Sequence, residues 1–239
     1  AEAAATFRRL GHRTGEVVCT LNLATICRHT GRLQESLLLC RQALELSRAD
    51  GDAPRAGSAM INLGSACLDL GDTKGAEEWF RQALAVKVAI GDRRHQAMVL
   101  GNLGSLHFQT GRLDEAIRYL EQALDMNREC GNLRSEGHTL GNLGSVYYMQ
   151  GRLDEAERAY QQALGILRRT DSPHEVARTL TNLAGMHKNC GRPELAEAEF
   201  VQAIAMQEQA GDLDGLSSSL ANLAVVYAHT GRFPQAEDA

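Results

Sequence analysis

The chain has little of what secreted, membrane-bound or nucleic-acid-binding proteins depend on. No apolar run approaches the roughly eighteen residues of a membrane helix, and the N-terminus lacks the pattern of a signal peptide. Lysine occurs only at Lys74, Lys87 and Lys188, and the net charge is −5. No basic patch or polybasic run therefore predicts contact with nucleic acid or with a membrane. We expect a cytoplasmic protein.

Catalytic and metal-binding motifs are also missing from the sequence. His174 and Glu175 begin like the HExxH motif of zinc proteases, but Arg178 stands where the second histidine ligand belongs. The six cysteines include no CxxC pair. No set of acid, base and nucleophile converges in one segment. The sequence therefore predicts no enzyme activity, no metal site and no cofactor.

What the chain does have is a repeat of forty residues. Asparagine returns at this interval without interruption, as Asn22, Asn62, Asn102, Asn142, Asn182 and Asn222. Glycine returns in the same frame, as Gly31, Gly71, Gly111, Gly151, Gly191 and Gly231. A fixed period of this length is typical of a repeat array. One elongated domain, built from contacts between neighbouring repeats, is therefore expected over residues 1–239.

Each repeat is predicted to form two antiparallel helices. A first helix is indicated by small and apolar residues at helical spacing, which in one repeat are Leu140, Leu143, Gly144 and Tyr147. A glycine then ends this helix, and acidic residues such as Asp154 open the second, where they meet the positive end of the helix dipole. Between repeats, a glycine is followed by Asp or Asn, which can cap the next helix. All four prolines fall at predicted helix starts, namely Pro54, Pro173, Pro193 and Pro234.

Cysteine and histidine at equivalent repeat positions are predicted to be core residues. Cys27 and Cys67 share one position with His107 and His187, and Cys40 occupies a position that holds large apolar or aromatic residues in the other repeats. A free cysteine behaves as a small apolar residue in a core, so we expect reduced thiols rather than disulfides. The histidines are expected to pack between helices rather than to act as ligands or bases.

The sequence begins and ends within a repeat rather than at a repeat boundary. Residues 1–11 align with the end of a second helix at residues 41–51, and the last residues begin another second helix. Six first helices and five complete second helices are predicted, with no polar capping helix at either end. Because repeat arrays need capped ends to remain soluble, we expect either a fragment of a longer array or association of copies through the uncapped ends.

The spacing within one repeat is Leu-x2-Leu-Gly-x2-Tyr in the first helix and Ala-x3-Tyr-x2-Ala in the second, the latter formed by Ala156, Tyr160 and Ala163. This pattern resembles the tetratricopeptide repeat (TPR). The forty-residue form, with Asn-Leu-Gly in the first helix, is similar to the arrays of Pins/LGN adaptors, kinesin light chains and bacterial regulators. The resemblance implies an all-α, right-handed superhelical solenoid of antiparallel helix pairs that binds protein segments or relays a regulatory signal.

The resemblance also places a peptide-binding groove on the first helices, which line the concave face in TPR proteins. When the groove positions of TPR proteins are transferred to the equivalent repeat positions of this sequence, the third to fifth repeats provide a set of groove residues. They are Met98, Asn102, Ser105, Phe108, Gln109, His138, Asn142, Ser145, Tyr148, Met149, Arg178, Asn182 and Lys188. The asparagine amides can both donate to and accept from the peptide groups of an extended ligand. The alternative is that each amide bonds a neighbouring helix and only fixes the packing of the repeats.

The predicted groove has apolar and basic parts. Phe108 and Tyr148, together with the two methionines, offer an anchor for apolar side chains. The alternative is that both aromatic rings pack between neighbouring helices. The three basic side chains of the groove favour an acidic group on the partner. The carboxylate clamp known in this family is not expected, because no basic residue precedes any of the repeated asparagines.

Three functions remain open at this point. The leading hypothesis is a protein-interaction scaffold that holds an extended or helical peptide in its groove. The first alternative is a sensor array within a larger regulator, where ligand binding controls an attached catalytic or DNA-binding domain. The second alternative is self-assembly through the uncapped ends, which substitutions in the groove would leave intact.

Overall fold

The computed structural model describes residues 2–233, without the side chains of residues 2, 4, 5 and 8. All regular structure in this range is α-helical. The chain divides into two compact units, Ala1–Met126 and Asn127–Ala239. Antiparallel helix pairs follow one another in each unit, so the predicted all-α solenoid class is confirmed. None of the helices in the described range is long and apolar enough to cross a membrane.

The helices have the order and number that the repeat predicts. The first unit contains α1 (Glu2–Arg9), α2 (Arg13–His29), α3 (Leu33–Ala49), α4 (Ala53–Asp69), α5 (Thr73–Ala89), α6 (Arg93–Gln109) and most of α7 (Leu113–Glu129). The second contains α8 (Leu133–Met149), α9 (Leu153–Leu167), α10 (Pro173–Asn189), α11 (Pro193–Ala210) and α12 (Leu213–His229). Even-numbered helices are the first helices of the repeats, and odd-numbered helices from α3 onward are the second helices. The further second helix predicted near the C-terminus falls almost wholly outside the described residues.

The turns between helices use the residues that the sequence predicts. Gly151 follows α8 with a φ of 75°, in the left-handed region that a glycine enters without steric cost. The next first helix is capped by a side chain that accepts a backbone N–H bond, at Asp52, Asp92, Asn132 and Asp212. Three prolines lie in the first turn of a helix, namely Pro54, Pro173 and Pro193. Pro234 lies outside the described residues.

One turn departs from this pattern. Asp171 has a φ of 48° and is the one non-glycine residue with positive φ in the described part of the chain. It replaces the glycine that follows the other second helices, and α9 is correspondingly short, with 15 residues against 17 in α7. Asp tolerates the left-handed conformation better than most residues, so the repeat frame continues through this turn.

The two helices of a repeat approach closely where the first helix has a glycine. A Cβ added at Gly104 would lie 2.6 Å from Leu120, and one added at Gly144 would lie 2.8 Å from the ring of Tyr160. Both distances are well inside van der Waals contact. These glycines therefore allow the two helices of a repeat to approach closely.

The cysteines and histidines of the shared repeat position are core residues, as predicted. Cys27 and Cys40 are fully buried, and His107 and His187 are 2% exposed. All six thiols are free, and burial raises the pKa of Cys40 to about 11. No group of three or more His, Cys, Asp or Glu side chains within residues 2–233 could hold a metal ion.

A buried lysine was not expected from the sequence. Lys87 is 1% exposed and lies near the end of α5. Its Nζ donates to the carbonyl oxygen of Pro54 at 2.8 Å and lies 3.3 Å from Oδ2 of Asp92. These partners satisfy the buried ammonium group, whose burial would otherwise be costly. The lysine thereby joins the end of one second helix to the starts of the two adjacent first helices.

Candidate protein-interaction surface

Neighbouring first helices pack side by side within each unit. In the first unit α2 contacts α4 and α4 contacts α6, and in the second α8 contacts α10 and α10 contacts α12. The side chains that these helices do not bury therefore form one surface in each unit. We call it the first-helix face, and it carries the repeated asparagines and the predicted groove residues.

The first-helix face of the first unit includes five predicted groove residues, all on α6. They are Met98, Asn102, Ser105, Phe108 and Gln109, of which Met98 is 45% exposed, Gln109 is exposed and the others are half-buried. The residues on the opposite side of this helix are buried, namely Val99, Leu103, Leu106 and His107. The helical spacing of the sequence therefore separates the core from the candidate site.

The second unit carries the other eight predicted groove residues, on α8 and α10. They are His138, Asn142, Ser145, Tyr148, Met149, Arg178, Asn182 and Lys188. Met149 is 60% exposed and His138 is also exposed, whereas the remaining six are half-buried. Because α8 contacts α10, these residues belong to one surface.

The asparagines on this face differ in their partners. Four of them make no side-chain hydrogen bond within the described range, and they are Asn22, Asn62, Asn102 and Asn182. Asn222 is bonded on both sides, because its Oδ1 accepts from Lys188 Nζ at 2.7 Å and its Nδ2 donates to the carbonyl of Ser218 at 2.9 Å. Asn142 also interacts with neighbouring groups. A packing role is thus supported for Asn222, while four amides keep their hydrogen-bonding groups available.

Hydrogen bonds between neighbouring first helices were not predicted. Arg28 on α2 donates to Oδ2 of Asp69 on α4 at 2.9 Å, and Asn189 on α10 donates to the hydroxyl oxygen of Tyr148 on α8 at 2.7 Å. Both pairs are separated by 41 residues in the chain, which is the repeat length plus one. The hydroxyl of Tyr148 therefore has an internal partner, which agrees with the alternative that this residue packs between neighbouring helices.

The two serines of the predicted groove donate their hydroxyl protons to carbonyl groups of their own helices. Ser105 donates to the carbonyl of Gly101 at 3.1 Å, and Ser145 donates to that of Gly141 at 3.2 Å. Such bonds to the preceding turn are common for serine within helices. Ser145 also accepts from the hydroxyl of Tyr160 at 3.0 Å. These small side chains leave room on the surface without presenting a free donor.

Arg178, one of the basic residues of the predicted groove, is paired with a carboxylate. Arg178 donates to Oε2 of Glu175, one turn earlier on α10, at 2.8 Å. Burial alone would raise the pKa of Glu175, but the hydrogen bond and charge of Arg178 lower it below its ordinary value, with help from His138 and His174. Although the His138 side chain is exposed, desolvation by the surrounding protein, and then the charge of Arg178, lower its pKa.

A second set of ion pairs recurs between repeats, away from the candidate site. The arginine that follows a turn glycine donates to a glutamate 35 residues earlier, in the second helix of the preceding repeat. The pairs are Arg112 with Glu77 at 2.9 Å, Arg192 with Glu157 at 2.9 Å, and Arg232 with Glu197 at 2.6 Å. His107 and His187 lie 3.6 Å from the first two carboxylates. The recurrence of these residues at equivalent positions was the sequence signal that could have identified this contact.

Comparison with known proteins was made by sequence and by structure. The sequence profile of the family described as "MalT-like TPR region" matches residues 19–211, and the profile described as "Tetratricopeptide repeat" matches residues 217–239. A search of curated proteins found no sequence match.

Several solved structures share the fold. BtubC (BKLC) from P. vanneervenii is similar with a TM-score of 0.75 and 25% identity, over 86% of this chain and 87% of that one. A Rap protein complexed with competence and sporulation factor gives a TM-score of 0.74 at 13% identity, over 93% of this chain and 72% of that one. A signal transduction ATPase with numerous domains (STAND protein) from Pyrococcus horikoshii, with a tetratricopeptide repeat sensor, gives 0.72 at 16% identity, over 96% and 38%. The profile match extends over most of the chain, which therefore belongs to the MalT-like TPR family.

Proposed function

We propose that the chain is a protein-interaction module that holds a peptide segment of its partner, in an extended conformation, on the first-helix face. The observation that carries this proposal is the row of asparagines, four of which have no internal hydrogen bond. An amide both donates and accepts, as a peptide group does. An extended segment leaves its N–H and C=O groups available, whereas a helix uses its own. The asparagines therefore favour an extended ligand over a helical one.

Apolar side chains on the same face support this function. Met98 is 45% exposed in the first unit and Met149 is 60% exposed in the second. Phe108 is half-buried further along the helix that carries Met98, and Tyr148 is half-buried and precedes Met149 directly. Flexible methionines can adapt to different apolar side chains. Main-chain bonds would then supply affinity, and these contacts would supply preference for particular residues.

The similar structures support a protein or peptide as partner. The Rap protein has this fold and was solved in complex with competence and sporulation factor. Its identity to the present chain is low, so it supports the class of partner and not the contacts.

The test is a display selection of random peptides of about twelve residues, which span about 40 Å when extended. Selected peptides are then measured by fluorescence anisotropy against the wild-type protein and two single variants, Asn102→Ala in the first unit and Asn182→Ala in the second. A lost amide contact costs about 1 kcal/mol, so we expect binding to weaken about fivefold in the variant of the unit that holds the peptide. The melting temperature should not change, because neither amide has an internal hydrogen bond.

The matched control is Gln122→Ala/Gln162→Ala, which removes two exposed amides from the second helices α7 and α9. This variant should bind the selected peptides like the wild type. If both asparagine variants also bind them like the wild type, or if the selection yields no peptide, the proposed function is wrong.

A sensor array is the second candidate function. The observation that favours it is the shared fold with a STAND protein whose tetratricopeptide repeat is a sensor. In that case the first-helix face would still bind a ligand, and the result of binding would be a change in an attached domain. Expression of the full gene product with and without a selected peptide, followed by assay of that domain, distinguishes a sensor from a scaffold.

A further inference from the structure

Four ionisable side chains of the second unit form a cluster at the start of the first-helix face. Glu175 accepts a hydrogen bond from Arg178 at 2.8 Å, and the charges of His138 and His174 also act on its carboxylate. His138 lies on α8 and the other three lie on α10. We call this group the Glu175 cluster. One carboxylate thus faces three basic groups.

The net charge of the Glu175 cluster depends on protonation of one histidine. While both imidazoles are neutral, the charges of Arg178 and Glu175 cancel. The imidazole of His174 already has a carboxylate partner, because Oδ2 of Asp212 lies 3.1 Å from its Nδ1. His138 has no carboxylate within ion-pair distance among the described residues. Protonation of His138 therefore gives the cluster a net positive charge.

The position of the cluster connects it to the proposed peptide site. His138 and Arg178 occupy equivalent positions of adjacent repeats, and each stands four residues before an asparagine of the row. Residues four apart lie one helical turn apart on the same face. An extended segment that meets Asn182 would therefore place a neighbouring side chain near these two basic groups.

We propose that this part of the first-helix face binds an acidic side chain of the partner peptide, held between His138 and Arg178, and that binding becomes tighter as the pH falls. This inference rests on the proposed function and adds to it the charge of the partner and the dependence on protons. The partner segment is a peptide containing aspartate or glutamate.

The direction of the pH dependence follows from the groups that face His138, which are Arg178 and Glu175. The His138 side chain is exposed, but the protein around it removes part of its hydration. This desolvation and the charge of Arg178 lower the pKa of His138 in the free protein, so the imidazole is mostly neutral at neutral pH. A partner carboxylate next to it favours the protonated form and raises the pKa. Binding then takes up a proton, so affinity increases on acidification by at most about tenfold per pH unit. Glu175 does not contribute to this change, because its lowered pKa keeps it ionised.

The experiment measures a fluorescein-labelled peptide of alternating glutamate and glycine, and its glutamine counterpart, at about pH 6 and about pH 8. The acidic peptide should bind about three- to tenfold more tightly at the lower pH, and the glutamine peptide should bind weakly at both. His138→Gln should remove the pH dependence while leaving the affinity at the higher pH within about twofold. Arg178→Gln should weaken binding of the acidic peptide at both pH values.

One substitution serves as a control in the second unit. Arg168→Gln removes an exposed arginine that follows α9, outside the first-helix face. It should leave the affinity and its pH dependence unchanged. The inference is overturned if the glutamine peptide binds equally well, if the pH dependence survives His138→Gln, or if the acidic peptide does not bind at either pH.

The outcome for the proposed function is separate. Peptides from the display selection that lose affinity in the Asn182→Ala variant, but contain no excess of acidic residues and bind equally at both pH values, would support the peptide site and overturn the acidic partner. Selected peptides whose affinity does not change when the asparagines are substituted would overturn the peptide site itself.

Discussion

At the scale of the residue, glycine decides how closely the two helices of a repeat pack. Gly104 and Gly101 lie on the same helix but differ in their surroundings. A Cβ at Gly104 would lie 2.6 Å from Leu120 and 3.3 Å from the carbonyl of Ala116, whereas a Cβ at Gly101 would have no atom within 4 Å. The same residue type therefore has a packing role at one position and none at the other.

The first prediction concerns these two glycines. Gly104→Ala should lower the free energy of unfolding by about 1 to 3 kcal/mol, because the added methyl group forces the helices apart. Gly101→Ala should raise it by about 0.5 to 1 kcal/mol, because alanine favours the helix and meets no obstacle. Urea unfolding of both variants checks the result. Equal effects of the two substitutions would show that the close approach at Gly104 is not needed.

At the scale of the element, neighbouring repeats within a unit are joined by ion pairs between a turn and a second helix. Glu77 on α5 accepts from Arg112 at 2.9 Å, lies 3.6 Å from His107, and has 14% of its side chain exposed. The hydrogen bond from Arg112 is the main cause that lowers the pKa of Glu77 below its ordinary value of 4.5. The contact therefore stabilises the fold only while Glu77 is ionised.

The second prediction is a pH dependence of stability at Glu77. A carboxyl group whose pKa is lower in the folded state contributes stability above its unfolded pKa and loses it as the pH falls through the folded value. Glu77→Gln should therefore cost about 1 kcal/mol at neutral pH, and the difference from the wild type should shrink as the pH falls below the ordinary pKa of 4.5. Urea unfolding at neutral pH and in acid measures it.

Glu78→Gln is the control for this prediction, since Glu78 is exposed on the same helix. It should have little effect at either pH, as exposed charges usually do. A difference between Glu77→Gln and the wild type that persists in acid would show that loss of charge is not the cause.

At the scale of the whole molecule, burial sorts the six thiols into classes. Cys130 is exposed, Cys19 and Cys190 are half-buried, and the remaining three are buried, namely Cys27, Cys40 and Cys67. Only the thiolate reacts with disulfide reagents. Buried thiols in both helices of the first repeat and in the first helix of the second can therefore report opening of that part of the core.

The third prediction follows from these classes. In the native protein at about pH 8, Ellman's reagent should react with Cys130 first and with the two half-buried thiols more slowly. The buried thiols should react only at the rate of local or global opening, and the raised pKa of Cys40, about 11, slows it further. Mass spectrometry of the labelled peptides identifies each thiol, and urea should expose all six. Fast reaction of Cys27 or Cys40 in the native protein would contradict the packed core.

The sequence by itself determined the helix order, the turns and the division of each helix into a buried and an exposed side. These features depend on local preferences repeated in register: glycine after a helix, a capping side chain before the next, and apolar residues at helical spacing. The frame also predicted that Cys27, Cys40, His107 and His187 are core residues. Even the irregular turn at Asp171 left the frame intact.

Only the tertiary structure decided which polar groups are already bonded. The sequence presents Asn182 and Asn222 as equivalent, yet the first is free and the second accepts from Lys188. The sequence likewise did not predict the hydrogen bond between Tyr148 and Asn189. Such contacts depend on which long side chains from adjacent helices come within about 3 Å of each other, and that distance is set by helix packing rather than by the period of the sequence.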